Sequence, residues 1–459
     1  MLMFMAFSTT ALQAQPLISK MPKEGKIVSE SYNQNIGFKD LELSNGVHVL
    51  LKSTDFGKDE VCMSVRQRGG SSLYGEEDWV NCEIFNAAIR ASGLGGLSNK
   101  ALKQALDGKN IELWRSLDTY EDYIGANTTV KDLETLFQLI YLNFTDVTKD
   151  EESFNTMLDA YKVRLRDDEM DENLRVFMDT MTNIMHDHNW RHPFMTVKLE
   201  DMARINYDRI LEIARERTAN AASYTFVLVG SFDEATIRPL IEQYIASLPA
   251  NKGVKSNWVN VATRCQKDVV CHFTRKIEPP QTSIEIRWTN TRIPYSTENW
   301  LKARFLSDIL KFKVYREKIG DDIWTTHPVG GNEQHYTEGD STFTEVHSFV
   351  DVKPEYADEV IRILKDEMHK ACEHIDEAAF NEYKQEQLNH FASRAKDKYN
   401  TNDYWLGVIE EFASDGTEPD PNNEPEQIIR DLTPEDISAF ARQLLATGHM
   451  LEIVMSPEQ

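Results

Sequence analysis

Histidines and carboxylates decide first what chemistry this chain can do. A zinc hydrolase needs three protein ligands and one open coordination position. On a helix, H-E-x-x-H or its inversion H-x-x-E-H sets both imidazoles on one face and a glutamate beside the metal-bound water. Neither spacing occurs in the 459 residues. The nearest approach is His369-Lys370-Ala371-Cys372-Glu373-His374. Five positions correspond to about 500° round a helix, so its two imidazoles diverge by about 140° and cannot share an ion. His186, Asp187, His188 and His192 cluster where a helical pattern gives way to a turn containing Trp190 and Pro193. They read as a polar loop packed on Trp190, with a metal site as the alternative. His335 and His347 fall on neighbouring predicted strands, and the same two readings apply. No G-x-S-x-G elbow is present, and Gly93-Leu94-Gly95-Gly96 follows a helix instead of opening one, which makes it a poor phosphate cradle. Asn127 and Asn143 begin glycosylation-type triplets, the second within an apolar helical pattern.

Alternating strands and amphipathic helices must position whatever these residues do. Leu41 to Lys52 gives two alternating runs about Asn45-Gly46, a hairpin signal. A strand at 60–68 and a helix at 78–92 follow, then two strands within 111–128 about Asp118. Helical patterns cover 130–144, 150–166, 172–186 and 207–217, ahead of a strand at 224–230 and a helix at 234–247. Residues 249–262 carry Pro, Gly, Lys and Asn without periodicity and mark a boundary. Beyond it come strands at 268–275 and 281–289, a helix at 297–317 and strands within 326–352. Helices at 355–374, 376–394, 402–414 and 433–445 precede a last strand at 450–455.

The second half repeats the first. Asp150-Glu151-Glu152-Ser153-Phe154-Asn155 matches Asp376-Glu377-Ala378-Ala379-Phe380-Asn381 at an offset of 226 residues. Ile210, Ala214 and Arg215 match Ile437, Ala441 and Arg442 at an offset of 227, and each set leads into an apolar strand. Two motifs in the same order, at nearly one offset and in the same context, point to a duplicated α+β domain. The expected organisation is a signal-like segment over 1–15, a leader over 16–36, a first domain over 37–248, a linker over 249–262 and a second domain over 263–459. Each domain would hold an antiparallel sheet with helices on one face.

Composition narrows the partners. Fifty Lys and Arg stand against 75 Asp and Glu, a net charge of −25. Such a surface repels phosphates, which argues against nucleic acid and anionic membranes. Solubility explains the acidity most simply, and a cationic peptide substrate is the alternative. No run of 18 apolar residues offers a membrane span. Cys62, Cys82, Cys265, Cys271 and Cys372 are odd in number and widely spaced, so no disulfide framework is expected. The first 15 residues, MLMFMAFSTTALQAQ, lack a basic start but otherwise resemble the back half of a secretory signal, which predicts export.

Leu43-Ser44-Asn45-Gly46-Val47-His48-Val49 resembles the opening hairpin of the M16 (pitrilysin/insulinase) zinc metallopeptidases. Gly70 to Tyr74 with Glu76-Glu77-Asp78, Lys131 to Tyr141, and Phe226 to Phe232 are similar to further family segments, in the family's order. The resemblance spans about residues 35–456 and is closest to the metal-free C-terminal half of the periplasmic PqqL-like branch. It implies two tandem homologous M16-type (LuxS/MPP-like) domains. The H-x-x-E-H positions would fall on Ile84, Ala87 and Ala88, and the helix carrying the later glutamate offers Asp159 instead. An alkyl side chain has no lone pair for zinc, so the resemblance implies a chain that holds no metal and is inactive alone. Zinc would belong to a partner half. In active relatives the far half offers an arginine and a tyrosine to the substrate. Arg316 fits the arginine, next to Tyr315, while the tyrosine position falls on Ile323 with Trp324 beside it. The implied function is a non-catalytic half that encloses peptides for a zinc-bearing M16 half in the periplasm or outside the cell. Arg316, Trp324 and Tyr315 would be substrate contacts, and the strand at 282–288 would pair with an extended peptide. The alternative is a lone pseudopeptidase that binds peptides or scaffolds a complex.

Overall fold

The computed structural model describes residues 17, 18, 20–166, 170–194, 197–312, 323, 331–420 and 424–458. Seven strands form the first sheet: β1 Ile27–Asn33, β2 Phe38–Leu43, β3 His48–Ser53, β4 Val61–Arg68, β5 Ile111–Leu117, β6 Glu121–Thr128 and β7 Thr225–Gly230. They lie in the order β1-β2-β3-β7-β4-β6-β5. Five strands form the second sheet: β8 Val269–Arg275, β9 Thr282–Asn290, β10 Gly331–Glu338, β11 Ser341–Val352 and β12 His449–Pro457, ordered β8-β12-β9-β11-β10.

The two orders superimpose: β3-β7-β4-β6-β5 corresponds to β8-β12-β9-β11-β10. Each sheet carries one parallel pair at the same place, β3 with β7 and β8 with β12, and its other neighbours are antiparallel. The sheets are therefore mixed, not wholly antiparallel. The reason is the long helical excursion before β7 and before β12, since parallel neighbours require a crossover. β1 and β2 are additions to the first sheet. β1 lies in a stretch read from sequence as an irregular leader. It is a polar edge strand, exposed along most of its length, so it shows no apolar alternation.

The first repeat contributes helices α1 Trp79–Ala91, α2 Leu133–Thr145, α3 Glu151–Arg166, α4 Glu172–Met185 and α5 Tyr207–Thr218. The second contributes α6 Thr297–Phe312, α7 Ala357–Glu373, α8 Glu377–Lys398, α9 Asn402–Asp415 and α10 Pro434–Thr447. Each sheet buries one face under helices of its own repeat. Val49, Met63 and Phe226 meet Leu136, Phe137 and Ile140 of α2. Ile284, Ile286 and Val350 meet Phe305 of α6, Leu364 of α7 and Phe440 of α10.

The opposite faces are covered by exchange. α4, from the first repeat, sets Phe177 and Met181 on Ile453, Met455 and Phe349 of the second sheet, with the Phe177 and Phe349 rings 5.4 Å apart. α9, from the second repeat, sets Ile409 on Phe38, Leu50, Val227 and Val229 of the first sheet, and Phe412 packs 5.4 Å from Phe38. Both helices are built alike. Asp171 caps α4 by accepting from the N–H groups of Asn173 and Leu174 at 2.9 and 3.0 Å, and Thr401 caps α9 by accepting from Tyr404 N–H at 3.3 Å. Leu174, Phe177, Met178 and Met181 make one stripe, and Trp405, Ile409 and Phe412 another, at helical spacing. Gly416, with φ 82°, ends α9 in the left-handed conformation that glycine adopts freely.

Exchange should make the two repeats unfold as one. Phe177→Ala and Ile409→Ala should each cost about 3 kcal/mol or more in urea unfolding, while Glu411→Ala on the exposed side of α9 stays within about 0.5 kcal/mol. Each core variant should shift one shared transition. Two separated transitions would refute the coupling.

Candidate functional site

α1 holds the three positions where the resemblance puts a zinc motif. Ile84 and Ala88 are buried, and Ala87 packs beside them at the margin of the same cluster. Around them stand Phe85, Leu117, Phe154, Tyr207, Ile210 and Ala214. Phe154 and Tyr207 stack with centroids 3.9 Å apart. The polar residues of α1 brace its neighbours: Asn81 Oδ1 accepts from Asn206 N–H at 2.8 Å, and Asn86 Oδ1 accepts from Leu117 N–H at 2.9 Å. At these three positions α1 offers alkyl groups only, and the one thiol in the cluster, Cys82, is pushed up to about 12 by burial, so the residues present do not fit a metal ion.

Arg316, Tyr315 and Trp324 lie outside the described residues. Ile323 is described, and its carbonyl accepts from Lys353 N–H at 3.0 Å at the rim of the second core. The strand expected to accept a peptide cannot do so. β9 is central, with β11 on one side and β12 on the other, so its backbone groups are already taken. A sheet edge is found instead at β5, which among the described residues pairs with β6 alone and gives its Leu117 N–H to Asn86 of α1. Trp114 of β5 lies across Gly125 of β6, where any Cβ would strike its ring.

The histidine cluster after α4 is a packed junction. Asp187 and His188 take positive φ angles of 52° and 58°, which turn the chain back so that the His186 and His192 rings stack with centroids 4.1 Å apart. Arg264 Nη1 donates to His186 Nδ1 at 3.0 Å, and His192 Nε2 lies 3.5 Å from Glu338. Burial, then the Arg264 charge, holds His186 down at about 3. Burial, then Arg264 and Arg191, holds His192 at about 4. Both rings are thus neutral at neutral pH. The His186 Nδ1 lone pair is occupied by a guanidinium, which also repels a cation. Among the described residues, no three His, Cys, Asp or Glu side chains gather as a metal site. His335 and His347 do lie on neighbouring strands, but each has a local partner. His335 Nδ1 is 2.8 Å from Thr344 Oγ1, and His347 Nδ1 is 2.9 Å from Glu285.

Sequence reading missed the charges beside this cluster. Glu345, fully buried, accepts from Arg264 Nε at 3.1 Å and from Arg287 Nη1 at 2.5 Å. Arg287 also bonds Glu285, which is 1% exposed. Ser283, Glu285 and Arg287 alternate with Ile284, Ile286 and Trp288, a pattern that normally marks a solvated face. Only the covering helix from the other repeat makes that face an interior. The signal available in the sequence was the charge balance of Glu285, Arg287 and Glu345 on adjacent strands.

Comparison with known proteins places this architecture. Residues 204–387 match the family model of the peptidase M16 inactive domain. The matched stretch is less than half of the chain. Over 236 residues it is 25% identical to the zinc protease PQQL-like protein of Arabidopsis thaliana, covering 51% of this chain and 22% of that one. The periplasmic protease PqqL of Escherichia coli superimposes with a TM-score of 0.78 at 18% identity, over 99% of this chain and 49% of PqqL. The M16 inactive domain of Pseudomonas fluorescens superimposes with a TM-score of 0.66 at 14% identity, over 92% of this chain and 98% of that one. The chain thus spans about half the length of PqqL and less than a quarter of the plant relative.

Two substitutions test the packing at this site. Ala88→His should cost about 1–3 kcal/mol in urea unfolding and create no zinc affinity by calorimetric titration. Arg264→Ala should cost about 3 kcal/mol, because it removes one of the two guanidinium partners of the buried Glu345 carboxylate.

Proposed function

We propose that this chain is the metal-free half of a two-part M16 peptidase, and that it encloses and positions peptides for a zinc-bearing half. The observation that carries the reading is the alkyl face of α1 at Ile84, Ala87 and Ala88, within a chain that superimposes on about half of a periplasmic protease. Water activation would then belong to the partner, since nothing on that face of α1 can hold an ion or act as its base. The edge of β5, away from Leu117, suits an extended peptide, which would add as a further strand. Arg316, with Tyr315 and Trp324, is our candidate for contact with the substrate carbonyl, because a fixed cation stabilises a developing oxyanion. The likeness to PqqL and the signal-like start favour the periplasm or the outside of the cell. No helix among the described residues is long and apolar enough to cross a membrane.

The purified chain should cleave no unstructured peptide by itself and should become part of an active protease when mixed with an M16 half containing H-x-x-E-H. Arg316→Ala should slow turnover by that mixture about 100-fold without weakening assembly. Equal loss of turnover and assembly would remove Arg316 from the site. Chelator-sensitive cleavage by the lone chain would overturn the proposal. Peptide binding without cleavage in any mixture would favour the stand-alone pseudopeptidase.

A further inference from the structure

The turn from His186 to His192 joins the repeats at a place where charge is finely balanced. It leaves the end of α4 and lies between the first sheet and the β10–β11 hairpin of the second. On its first-sheet side, Arg191 donates to the carbonyls of Ser71 and Tyr74 at 3.2 and 2.6 Å, so no carboxylate neutralises its charge there. On its second-sheet side stands Arg264. The Arg264 guanidinium bonds Glu345, Glu338, His186, the Thr263 carbonyl and the Tyr336 hydroxyl, and it lies 4.2 Å over the Phe343 ring.

The remaining charges come from the strands beneath. β9 supplies Glu285 and Arg287, β10 supplies Glu338, and β11 supplies Glu345 and His347. Two arginines, Arg264 and Arg287, therefore face three glutamates, Glu285, Glu338 and Glu345, with Arg191 held apart on backbone carbonyls, while His186 and His192 stay neutral. Tyr120, from the β5–β6 turn, is pushed up to about 12 by burial and by Glu338, so it stays protonated. Asp187 and His188 are exposed at the rim. A cleft of about 530 Å³ lined by Asp187, Thr263, Arg264 and Phe343 opens beside the junction, while the Arg264 side chain itself stays buried.

We propose that this junction is an acid-released latch, in which protons taken up by His186 and His192 set two new positive charges against Arg264 and free the turn, and with it α4, from the second sheet. Protonating His186 Nδ1 also destroys the acceptor that Arg264 now uses. Each imidazole binds a proton less readily in the fold than in an unfolded chain, where its ordinary value is about 6.5. The closed junction is therefore penalised progressively as pH falls below about 6.5, down towards the folded values of about 4 and about 3. Glu338 works the other way. Burial holds its carboxyl above the usual range, so its own protonation favours the fold and offsets part of the penalty. It also removes the negative charge nearest His192. α4 is the element released because the turn runs directly on from its C-terminal end; it meets the second repeat through its apolar stripe, through Asn173 and Glu172 with Arg275 and the Lys276 carbonyl, and through the Met185 carbonyl, which accepts from Cys265 N–H at 2.8 Å.

Hydrogen exchange of the full chain, read by mass spectrometry, tests the latch. At about pH 4.5, amides of 177–192 should exchange about 10-fold faster than the intrinsic pH correction allows, while far-UV circular dichroism and β4–β7 amides hold their neutral-pH behaviour. The variant His186→Asn with His192→Gln keeps acceptors near Arg264 but takes up no proton. It should match the parent at about pH 7 and lose the acid response. Unchanged protection of 177–192 in the parent at about pH 4.5 would overturn the latch, and so would its loss only together with the whole fold. An acid response that survives in the double variant would overturn it too. If the double variant is already open at neutral pH, the comparison of segments within the parent decides alone.

Discussion

A β-sheet has two faces, and in this molecule each repeat can cover only one of its own. The requirement to bury the second face organises the rest. α2 and its neighbours close one side of the first sheet, and α6, α7 and α10 close one side of the second. The exposed alternatives, Phe38 and Leu50 on one sheet and Phe349 and Ile453 on the other, are too apolar to face water and are closed by a single helix lent across the molecule. Because α4 and α9 stand at equivalent points of a duplicated chain, one sequence pattern solved the problem twice. The polar ends of the loan are fixed as well. Asn402 bonds Thr54 and Glu60 at 2.5 and 2.7 Å, and Arg275 holds Glu172 and Asn173 at 3.1 Å each.

Much of this was legible in the sequence because local pattern and final environment agree. The Asn45-Gly46 hairpin, the paired strands around Asp118 and the helices at 150–166 and 172–186 all sit where periodicity put them. The repeat was legible because α3 and α8 begin with the same acidic turn and a buried phenylalanine, Phe154 or Phe380. Failures came where environment contradicts pattern. β1 is polar because it is an edge, and so it passed for a leader. β9 alternates as if half solvated, yet all nine of its residues are buried, and this also defeats the idea that it could accept a peptide strand. A fold that covers one sheet with a helix from a distant segment cannot be inferred from either segment alone.

The two covered faces are not equivalent. The first is largely apolar under α9, with Lys52 resting 4.1 Å from the Trp405 ring and Arg66 pairing with Glu410 of α9 at 3.3 Å. The second places two arginines and two glutamates in the interior. Most of the chain's carboxylates are exposed, and surface ion pairs such as Arg362 with Asp366 contribute little to stability. Buried pairs also add little net stability relative to apolar packing, but removing one partner is costly. Their effect is therefore one of exclusivity: the second sheet tolerates α4 and the 186–192 turn in an arrangement that keeps Arg264 and Arg287 on their glutamates. An interior built this way ties its position to its charges and so answers to protons, whereas the seam under α9 is held mainly by apolar packing.

The same contrast bears on α1. A zinc-bearing helix must keep histidines and a carboxylate at the surface of a cleft, hydrated and electrostatically costly, and it gives up packing to do so. Here Ile84 and Ala88 are buried with Phe85, Tyr207 and Ile210, and the helix is braced through Asn81 and Asn86 to the segments on either side. Those interactions hold α1 against β5 without any ion. On the reading of this chain as the passive half of a two-part peptidase, the freed positions are used for rigidity. A half that performs no chemistry contributes by the fixed placement of its walls and its strand edge, and an alkyl core under α1 supplies that placement more firmly than a hydrated metal site would.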